Sequence, residues 1–223
     1  MDNTTPLSAN DYDAEIEKIV PFYSEFHRQT IDLVKSFHWS EGSWLDTGCG
    51  TGTLVAKAMK EFPAFRFVLC DPSEAMIVQA RKEIPDLRGL LEFHTCGTQN
   101  LEYKNEFDII TAIQSHHYLG HDDRSLALKK CFDALKVNGV FIFFENFAPS
   151  DERSKNIVMN RWGRYQQSHG KTDEEISQHQ RRYDRDYFPI TLERHFHLMF
   201  QAGFKTIEIF WLSYMQAGIY AIK

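Results

Sequence analysis

Short apolar runs alternate with helical apolar patterns over the first two thirds of the chain. The runs predict five buried strands, at WLDTG (44–48), FRFVLCD (65–71), LLEFHT (90–95), FDIITAI (107–113) and VFIFFEN (140–146). Helical patterns lie between them at 53–62, after the capping residue Ser73, and at 123–136, where Asn138-Gly139 ends the helix. This alternation predicts a doubly wound, mostly parallel sheet.

The N-terminal segment has helical spacing of its own. Apolar residues recur every three or four positions from Asp13 to Ser36. Pro21 would break a single helix, so we expect two helices, with Pro21 in the first turn of the second. The apolar stripe has no partner within the segment. We therefore predict that residues 1–36 form a helical lid, with a loose tail over residues 1–12.

The last third of the chain breaks the alternation. Residues 151–186 have no strand pattern, and Thr172 with Glu175 predicts a capping box. Thr191 opens another helix, which we expect to end at Gly203 and to turn Phe200 inward. The runs FKTIEIFWL (204–212) and YMQAGIYAIK (214–223) are separated only by Ser213, so they must be antiparallel. The prediction is one domain, 1–223, with a seven-stranded mostly parallel sheet, a C-terminal antiparallel hairpin and a helical insertion at 147–190.

Composition narrows the function classes. The formal net charge is −6, so neither nucleic-acid nor membrane binding is expected. The four cysteines have no metal-ligand spacing and are expected to be reduced thiols, with no metal site. The polar N-terminus lacks a signal-peptide profile, and we expect a cytoplasmic protein.

The stretch WLDTGCGTGTLV (44–55) places three glycines between a strand and a helix. Glycine permits positive φ and close approach of a ligand to the backbone. A phosphate-binding GK[ST] motif is absent, and Thr53 stands where the dinucleotide fingerprint GxGxxG needs its last glycine. Asp71 ends the next strand, where it could accept both hydroxyls of a ribose. Asp46 would repel phosphate but suits an ammonium and a sulfonium, which points to S-adenosylmethionine.

DTGCGTG, Asp71, FDIITA and the C-terminal hairpin resemble the class I S-adenosylmethionine-dependent methyltransferases over roughly residues 40–223. The resemblance implies a Rossmann-like methyltransferase fold and S-adenosylmethionine as the cofactor. In this family an acidic residue after the third strand often meets the adenine amino group, but Gly97 stands there. The backbone or Thr98 is then expected to hold the adenine. The cofactor-binding residues implied are Asp46, Gly48, Cys49, Gly50, Gly52, Asp71, Pro72, Met76, Gly97, Thr98 and Gln114.

A finer resemblance runs through FDALKVNGVFIFFENF, HGKTDEEISQHQRR and AGFKTIEIFW. These stretches are similar to bacterial enzymes that make carboxy-S-adenosylmethionine for tRNA wobble-uridine modification, and equally to small-molecule methyltransferases of that branch. The synthases are expected to bind the extra carboxylate with an arginine in the helix before AGF. Leu198 aligns there, and Arg194 lies one turn earlier. Because leucine cannot pair with a carboxylate, the prediction is ordinary methyl transfer to a small-molecule acceptor.

Polar and aromatic residues at the carboxyl ends of the strands are candidates for the acceptor site. We predict that Tyr12, Tyr23, His27, Glu145, Trp162 and Tyr165 contact the acceptor. His116 and His117 are candidate general bases, although the favoured interpretation is that one packs at the loop and the other is solvated. A basic stretch, Arg153 to Lys171, is interpreted as a solvated helix face. A tRNA-modifying enzyme and a non-catalytic cofactor-binding subunit are the alternatives, and a homodimer stays open.

Overall fold

A computed structural model describes residue 5, residues 7–84 and residues 89–223. One sheet has the strand order β3-β2-β1-β4-β5-β7-β6. The first five strands are parallel, and β7 is antiparallel to both β5 and β6. The strands are β1 (Gly42–Thr47), β2 (Phe65–Asp71), β3 (Leu91–Thr95), β4 (Phe107–Ile113), β5 (Leu135–Asn146), β6 (Thr206–Ser213) and β7 (Gln216–Ile222).

Helices cover both faces of the sheet within these ranges. They are α1 (Tyr12–Ile19), α2 (Tyr23–Lys35), α3 (Thr53–Glu61), α4 (Glu74–Glu83), α5 (His121–Ala134), α6 (Glu152–Ser168), α7 (Asp173–Gln180) and α8 (Leu192–Ala202). One buried cluster packs the helices α1, α2, α3, α4 and α6 against one face of the sheet. A second buried cluster packs α5 and α8 against the opposite face. The predicted fold class is confirmed: a doubly wound sheet that ends in an antiparallel hairpin.

Three local predictions are wrong. Pro21 lies in the turn before α2, which begins at Tyr23, because Phe22 adopts a left-handed conformation (φ 57°) as the N-cap. The fifth strand begins at Leu135 rather than 140, because Leu135 pairs with Phe107 before a register shift; α5 therefore ends at Ala134 instead of 136, and Asn138-Gly139 lies within β5. Phe200 points outward from α8 and is 55% exposed, whereas Met199 takes the buried position.

The N-terminal helices pack on the sheet and on the insertion. Phe26 of α2 is fully buried and stacks on Phe144 of β5, with ring centroids 4.6 Å apart. The Trp162 indole of α6 donates a hydrogen bond to the carbonyl of Ile19 at 2.5 Å. The segments 1–36 and 147–190, as far as they are described, therefore lie against each other above the carboxyl ends of β1 and β4. The part of the predicted tail at 1–4 and 6 falls outside the described residues.

The described ranges contain neither a membrane-spanning helix nor a cluster of metal-binding side chains. No helix there has the length and apolar character that a membrane span requires. No group of three or more His, Cys, Asp or Glu side chains there could hold a metal ion, and the four cysteines are unpaired by disulfides.

Candidate functional site

The glycine loop between β1 and α3 is shaped by two packing constraints and one open side. Gly48, Gly50 and Gly52 all have positive φ, at 68°, 55° and 80°. A Cβ on Gly48 would lie 2.3 Å from Cβ of Ser115, and one on Gly52 would lie 2.6 Å from Cδ1 of Ile84. A Cβ on Gly50 would meet nothing within 4 Å. Gly50 therefore presents bare backbone to empty space, as a ligand in contact with the loop requires.

Asp71, at the end of β2, holds this loop from the neighbouring strand. Its Oδ2 accepts the backbone N–H of Gly50 at 2.9 Å, and its Oδ1 accepts the backbone N–H of Ser73 at 2.9 Å. Ser73 in turn caps α4, where its hydroxyl accepts the N–H of Met76. The carboxylate is thus fixed between the first two loops of the sheet.

Asp46, at the end of β1, is buried beneath the same loop. Its Oδ1 accepts a hydrogen bond from the Thr111 hydroxyl at 2.6 Å, and Thr111 accepts one from the Trp44 indole at 2.9 Å. Burial raises the pKa of Asp46 to about 7, the Thr111 bond opposes that rise, and the nearby Asp71 charge adds to it. A cation next to Asp46 would favour its ionised form.

A cavity of about 230 Å³ lies over these groups. Its walls include ten of the eleven predicted cofactor-binding residues: Asp46, Gly48, Cys49, Gly50, Asp71, Pro72, Met76, Gly97, Thr98 and Gln114. Gly52 is the exception, because it packs against Ala80 and Ile84 at the back of the loop. Its role is to let α3 and α4 approach each other. The binding roles of the ten wall residues stay predictions.

The far wall of the cavity carries polar atoms without protein partners. Among the described residues, Gln99 Oε1, Gln114 Nε2 and His116 Nδ1 are buried and have no hydrogen-bond partner. Because unpaired buried polar atoms are costly and rare, they indicate that a polar ligand belongs here. Sequence reasoning missed Gln99, and its place just after a parallel strand was the available signal.

His116 and His117 occupy different places. His116 lines the cavity, its Nε2 lies 3.2 Å from the Thr98 hydroxyl, and burial lowers its pKa to about 4. His117 lies behind that wall, with Nδ1 2.6 Å from Oε2 of Glu145. Burial alone would raise the pKa of Glu145, but His117 and the backbone N–H of His116 lower it to about 2.

Three of the predicted acceptor-binding residues reach the cavity. Tyr12 of α1 and Tyr23 and His27 of α2 lie on its wall, and the two tyrosine hydroxyl oxygens are 3.5 Å apart. Asp13 fastens α1 to the glycine loop, because its Oδ1 accepts hydrogen bonds from the hydroxyls of Thr51 and Thr53. The N-terminal helices therefore close one side of the site.

The other three predicted acceptor residues lie elsewhere. Glu145 uses both carboxylate oxygens to hold the loop 115–117. Trp162 lines a second, smaller cavity of about 30 Å³ and is fixed by Ile19. Tyr165 is turned away from both cavities, since its hydroxyl donates to the carbonyl of Glu17 and its ring stacks on His169. Sequence spacing could not show which face of α6 turns inward.

The last helix contributes to neither cavity. Leu198 is buried against the opposite face of the sheet, and Arg194 lines an outer groove with Phe196 and His197. Within this chain, residue 198 therefore does not contact a ligand in either cavity. In the basic stretch, Arg153, Arg161 and Arg164 are exposed, as a solvated face requires, whereas Lys171 is only 13% exposed and pairs with Glu15 and Glu175.

Comparisons with known proteins agree with this architecture. Residues 45–141 match a family model described as a methyltransferase domain, which includes the glycine loop and Asp71. Carboxy-S-adenosyl-L-methionine synthase of Nautilia profundicola is 27% identical over 202 residues, which cover 90% of this chain and 86% of that protein.

Two solved structures share the fold. A S-adenosylmethionine-dependent methyltransferase from Thermotoga maritima has a TM-score of 0.63 at 18% identity, covering 96% of this chain and 94% of that one. Human N-acetylserotonin methyltransferase in complex with S-adenosylmethionine has a TM-score of 0.59 at 15% identity, covering 96% of this chain and 57% of that one. The family model and the curated relative confirm the resemblance to S-adenosylmethionine-dependent methyltransferases, an enzymatic role and S-adenosylmethionine as the cofactor, and the two solved structures confirm the fold.

Proposed function

We propose that this S-adenosylmethionine-dependent methyltransferase acts on a small-molecule acceptor that binds beyond Gln114. The observation that carries the proposal is the second cavity of about 30 Å³, which shares Thr5, Tyr12, Gln114 and Tyr118 with the larger one. It lies between the N-terminal helices and the insertion, with Trp162 and Tyr187 in its wall. A space of this size admits the reacting group of a small acceptor rather than the whole molecule.

The larger cavity fits the cofactor. The uncovered backbone of Gly50, the carboxylates of Asp46 and Asp71, and the unpaired Oε1 of Gln99 match its cationic, hydroxyl and base groups. When bound, S-adenosylmethionine supplies an electrophilic methyl group on a cationic sulfur. Asp46 would hold the ammonium, and Asp71 would hold the ribose hydroxyls.

Gln114 lies on the walls of both cavities and is held in a strained conformation. Its φ is 53°, which is unusual for a residue other than glycine, and its backbone N–H donates to the carbonyl of Phe144 at 2.7 Å. Its Nε2 has no partner in the described structure. This amide would donate to an oxygen of the acceptor and align the nucleophile, which is the main requirement of an in-line displacement.

His117 is the better of the two candidate bases. It lines the smaller cavity, and Glu145 fixes its ring through Nδ1 and would stabilise the imidazolium after proton uptake. His116 has a pKa of about 4 and would hold a proton only weakly near neutrality. A base is needed only when the acceptor is an un-ionised hydroxyl or amine.

A second candidate function is the synthesis of carboxy-S-adenosylmethionine. The names of the curated relatives favour it, and so does Arg182, whose side chain lines the smaller cavity and is 13% exposed. Against it, Arg182 already donates to Asp186 at 2.9 Å, so its charge is partly compensated. A tRNA substrate has less support, because the formal net charge of the chain is −6, which disfavours binding to a phosphate backbone. Homodimer formation and a cytoplasmic location stay predictions.

Two measurements test the proposal. Mass spectrometry of the ligand released from the purified protein should find S-adenosylmethionine or S-adenosylhomocysteine; a carboxylated form would make the second candidate the leading one. Incubation of the protein with labelled cofactor and size-fractionated metabolites should move label into a small molecule. Gln114→Ala should abolish that transfer while S-adenosylhomocysteine still binds. Transfer only into RNA would contradict a small acceptor.

A further inference from the structure

The turn after β3 forms one end of the larger cavity. Gly97 and the short 3-10 turn Thr98–Asn100 follow the strand, and Gly97, Thr98 and Gln99 all line the cavity. Pro72 and Met76 line it from the adjacent loop and helix. If Asp71 binds the ribose, as proposed above, the base must extend into this end, because the methionine part takes the side of Asp46.

The side-chain amide of Gln99 fills the space beside Gly97. A Cβ built on Gly97 would lie 2.6 Å from Oε1 of Gln99 and 3.1 Å from both its Cδ and its Nε2. Residue 97 cannot carry a side chain while Gln99 keeps this position. The amide therefore stands where a side chain of residue 97 would begin.

The oxygen of this amide lacks a partner. Gln99 Oε1 is buried and accepts no hydrogen bond from any described residue. Leaving a buried acceptor unpaired costs free energy, which a ligand that supplies a donor would recover.

Thr98, the residue expected to hold the adenine, is already engaged. Its hydroxyl lies 2.7 Å from the Thr47 hydroxyl and 3.2 Å from Nε2 of His116. A hydroxyl has one proton and two lone pairs, so these contacts use most of its capacity. Asn100 is exposed to solvent, so Gln99 is the residue of this turn whose buried polar atom is left for a ligand.

We propose that Oε1 of Gln99 accepts a hydrogen bond from the exocyclic amino group of the adenine. This rests on the proposed cofactor site. The hydrogen-bond donors of the cofactor are its ammonium, two ribose hydroxyls and the adenine amino group. Asp46 and Asp71 are placed to accept the first three, which leaves the amino group for Gln99. Because an amide can rotate and present its NH₂ group, Gln99 reads the base less strictly than a carboxylate would.

Calorimetry with S-adenosylhomocysteine and S-inosylhomocysteine tests this inference, since the second ligand has a carbonyl in place of the amino group. The unmodified protein should prefer the adenosyl ligand. Gln99→Met keeps the side-chain volume but lacks the hydrogen-bond acceptor. It should weaken binding of S-adenosylhomocysteine about tenfold and remove the preference over S-inosylhomocysteine. Gln99→Glu should increase the preference. Asn100→Ala, an exposed position in the same turn, is the control.

A compensating pair of substitutions distinguishes a hydrogen bond from residue 99 from a general packing effect. Gly97→Asp combined with Gln99→Ala should restore both affinity and preference, because the new carboxylate would occupy the space that the amide leaves. Unchanged affinity and preference in Gln99→Met would overturn the inference. If the unmodified protein binds neither ligand, the proposed cofactor site itself fails, which is a different result. Thermal melting of each variant establishes that it is folded.

Discussion

The Asp71 carboxylate accepts the backbone N–H of Gly50 at 2.9 Å, so the acidic end of β2 fixes the glycine loop that follows the neighbouring strand β1. A side chain that appears from the sequence to be only a ribose ligand thereby also shapes the surface on which the methionine part would lie. Changes at Asp71 are therefore expected to affect binding through two routes, a lost ligand contact and a loosened loop.

We expect Asp71→Ala to weaken S-adenosylhomocysteine binding by roughly 2–4 kcal/mol, because a charged acceptor of two hydroxyls is lost. Asp71→Asn should lose less, since its oxygen can still accept one backbone N–H. Isothermal titration calorimetry measures both, with NAD as a ligand that should give no heat. Equal affinity in all three proteins would remove Asp71 from the site.

Gly50→Ala should fold but bind the cofactor poorly. Its Cβ meets nothing within 4 Å in the protein, so the folding cost is limited to the left-handed backbone, about 1–2 kcal/mol. The methyl group would project into the space proposed for the ligand. Gly170→Ala is the matched control, because Gly170 also has positive φ (88°) and open surroundings but lies away from the cavity. We expect both variants to lose a similar amount of stability and only Gly50→Ala to lose cofactor affinity. Unimpaired binding by Gly50→Ala would show that the ligand does not approach this backbone.

Asp46 should make both affinity and stability depend on pH near neutrality. Because its pKa is about 7, it is mostly protonated at pH 6, and cofactor affinity should rise about fivefold between pH 6 and pH 7 as it ionises. Asp46→Asn should bind weakly and without this rise. A carboxyl whose pKa is raised on folding loses stabilisation as pH increases from about 4 through 7, on the order of 4 kcal/mol.

The free energy of unfolding of Asp46→Asn should therefore exceed that of the unmodified protein at pH 8 and be closer to it at pH 5. Urea titrations at the two pH values provide the comparison. A variant that is less stable at pH 8 would mean that the buried carboxylate is better compensated than its surroundings indicate.

The parallel sheet and the cofactor end of the site were predictable from sequence because their signals are local. The strands β2 and β4 have the predicted bounds, since buried parallel strands are continuous apolar runs. The glycine loop and Asp71 follow directly from those strands, so their positions at the sheet edge could be placed as well.

The acceptor end depends on contacts between distant segments, which the sequence pattern does not contain. Tyr165 and Tyr12 have the same side-chain chemistry on helices, yet only Tyr12 faces the cavity. Glu145 and His117 are 28 positions apart, and neither the strand pattern around Glu145 nor the loop sequence around His117 indicates that they form a pair. The Gln99 amide beside Gly97 is likewise a matter of side-chain placement, not of spacing.

Breaking the Glu145–His117 pair should destabilise the protein strongly. Both side chains are at least 96% buried, and Glu145 also accepts the backbone N–H groups of Ser115, His116 and His117. Glu145→Gln should lower the free energy of unfolding by about 1–3 kcal/mol at pH 7, because the amide NH₂ group cannot accept the buried N–H donors that a carboxylate oxygen accepts. Exposed Glu152→Gln is the control, and urea unfolding is the measurement.

The pH profile gives an independent check on Glu145. A carboxyl whose pKa falls on folding contributes stability above its ordinary value of 4.5 and loses it as pH falls toward about 2. The unmodified protein should therefore lose more stability over this range than Glu145→Gln does. Parallel profiles would mean that the carboxylate is not specifically stabilised in the folded state.

The contact of Asp13 with the glycine loop should control access to the cofactor. Asp13 Oδ1 accepts hydrogen bonds from the Thr51 hydroxyl at 3.0 Å and the Thr53 hydroxyl at 2.9 Å, and these bonds join α1 to the start of α3. A point variant is the appropriate test, because deletion of residues 1–36 would also remove Phe26 from the core against Phe144. Asp13→Asn keeps the shape but weakens both bonds.

Asp13→Asn should leave the melting temperature within a few degrees of the unmodified protein, because the side chain is exposed and such bonds contribute little to stability. S-adenosylhomocysteine should dissociate several-fold faster in stopped-flow displacement, since the helix that carries Tyr12 would open more often. Glu17→Gln, exposed on the same helix, should dissociate at the unmodified rate. If both variants dissociate at that rate, the contact of Asp13 with the glycine loop does not control ligand release.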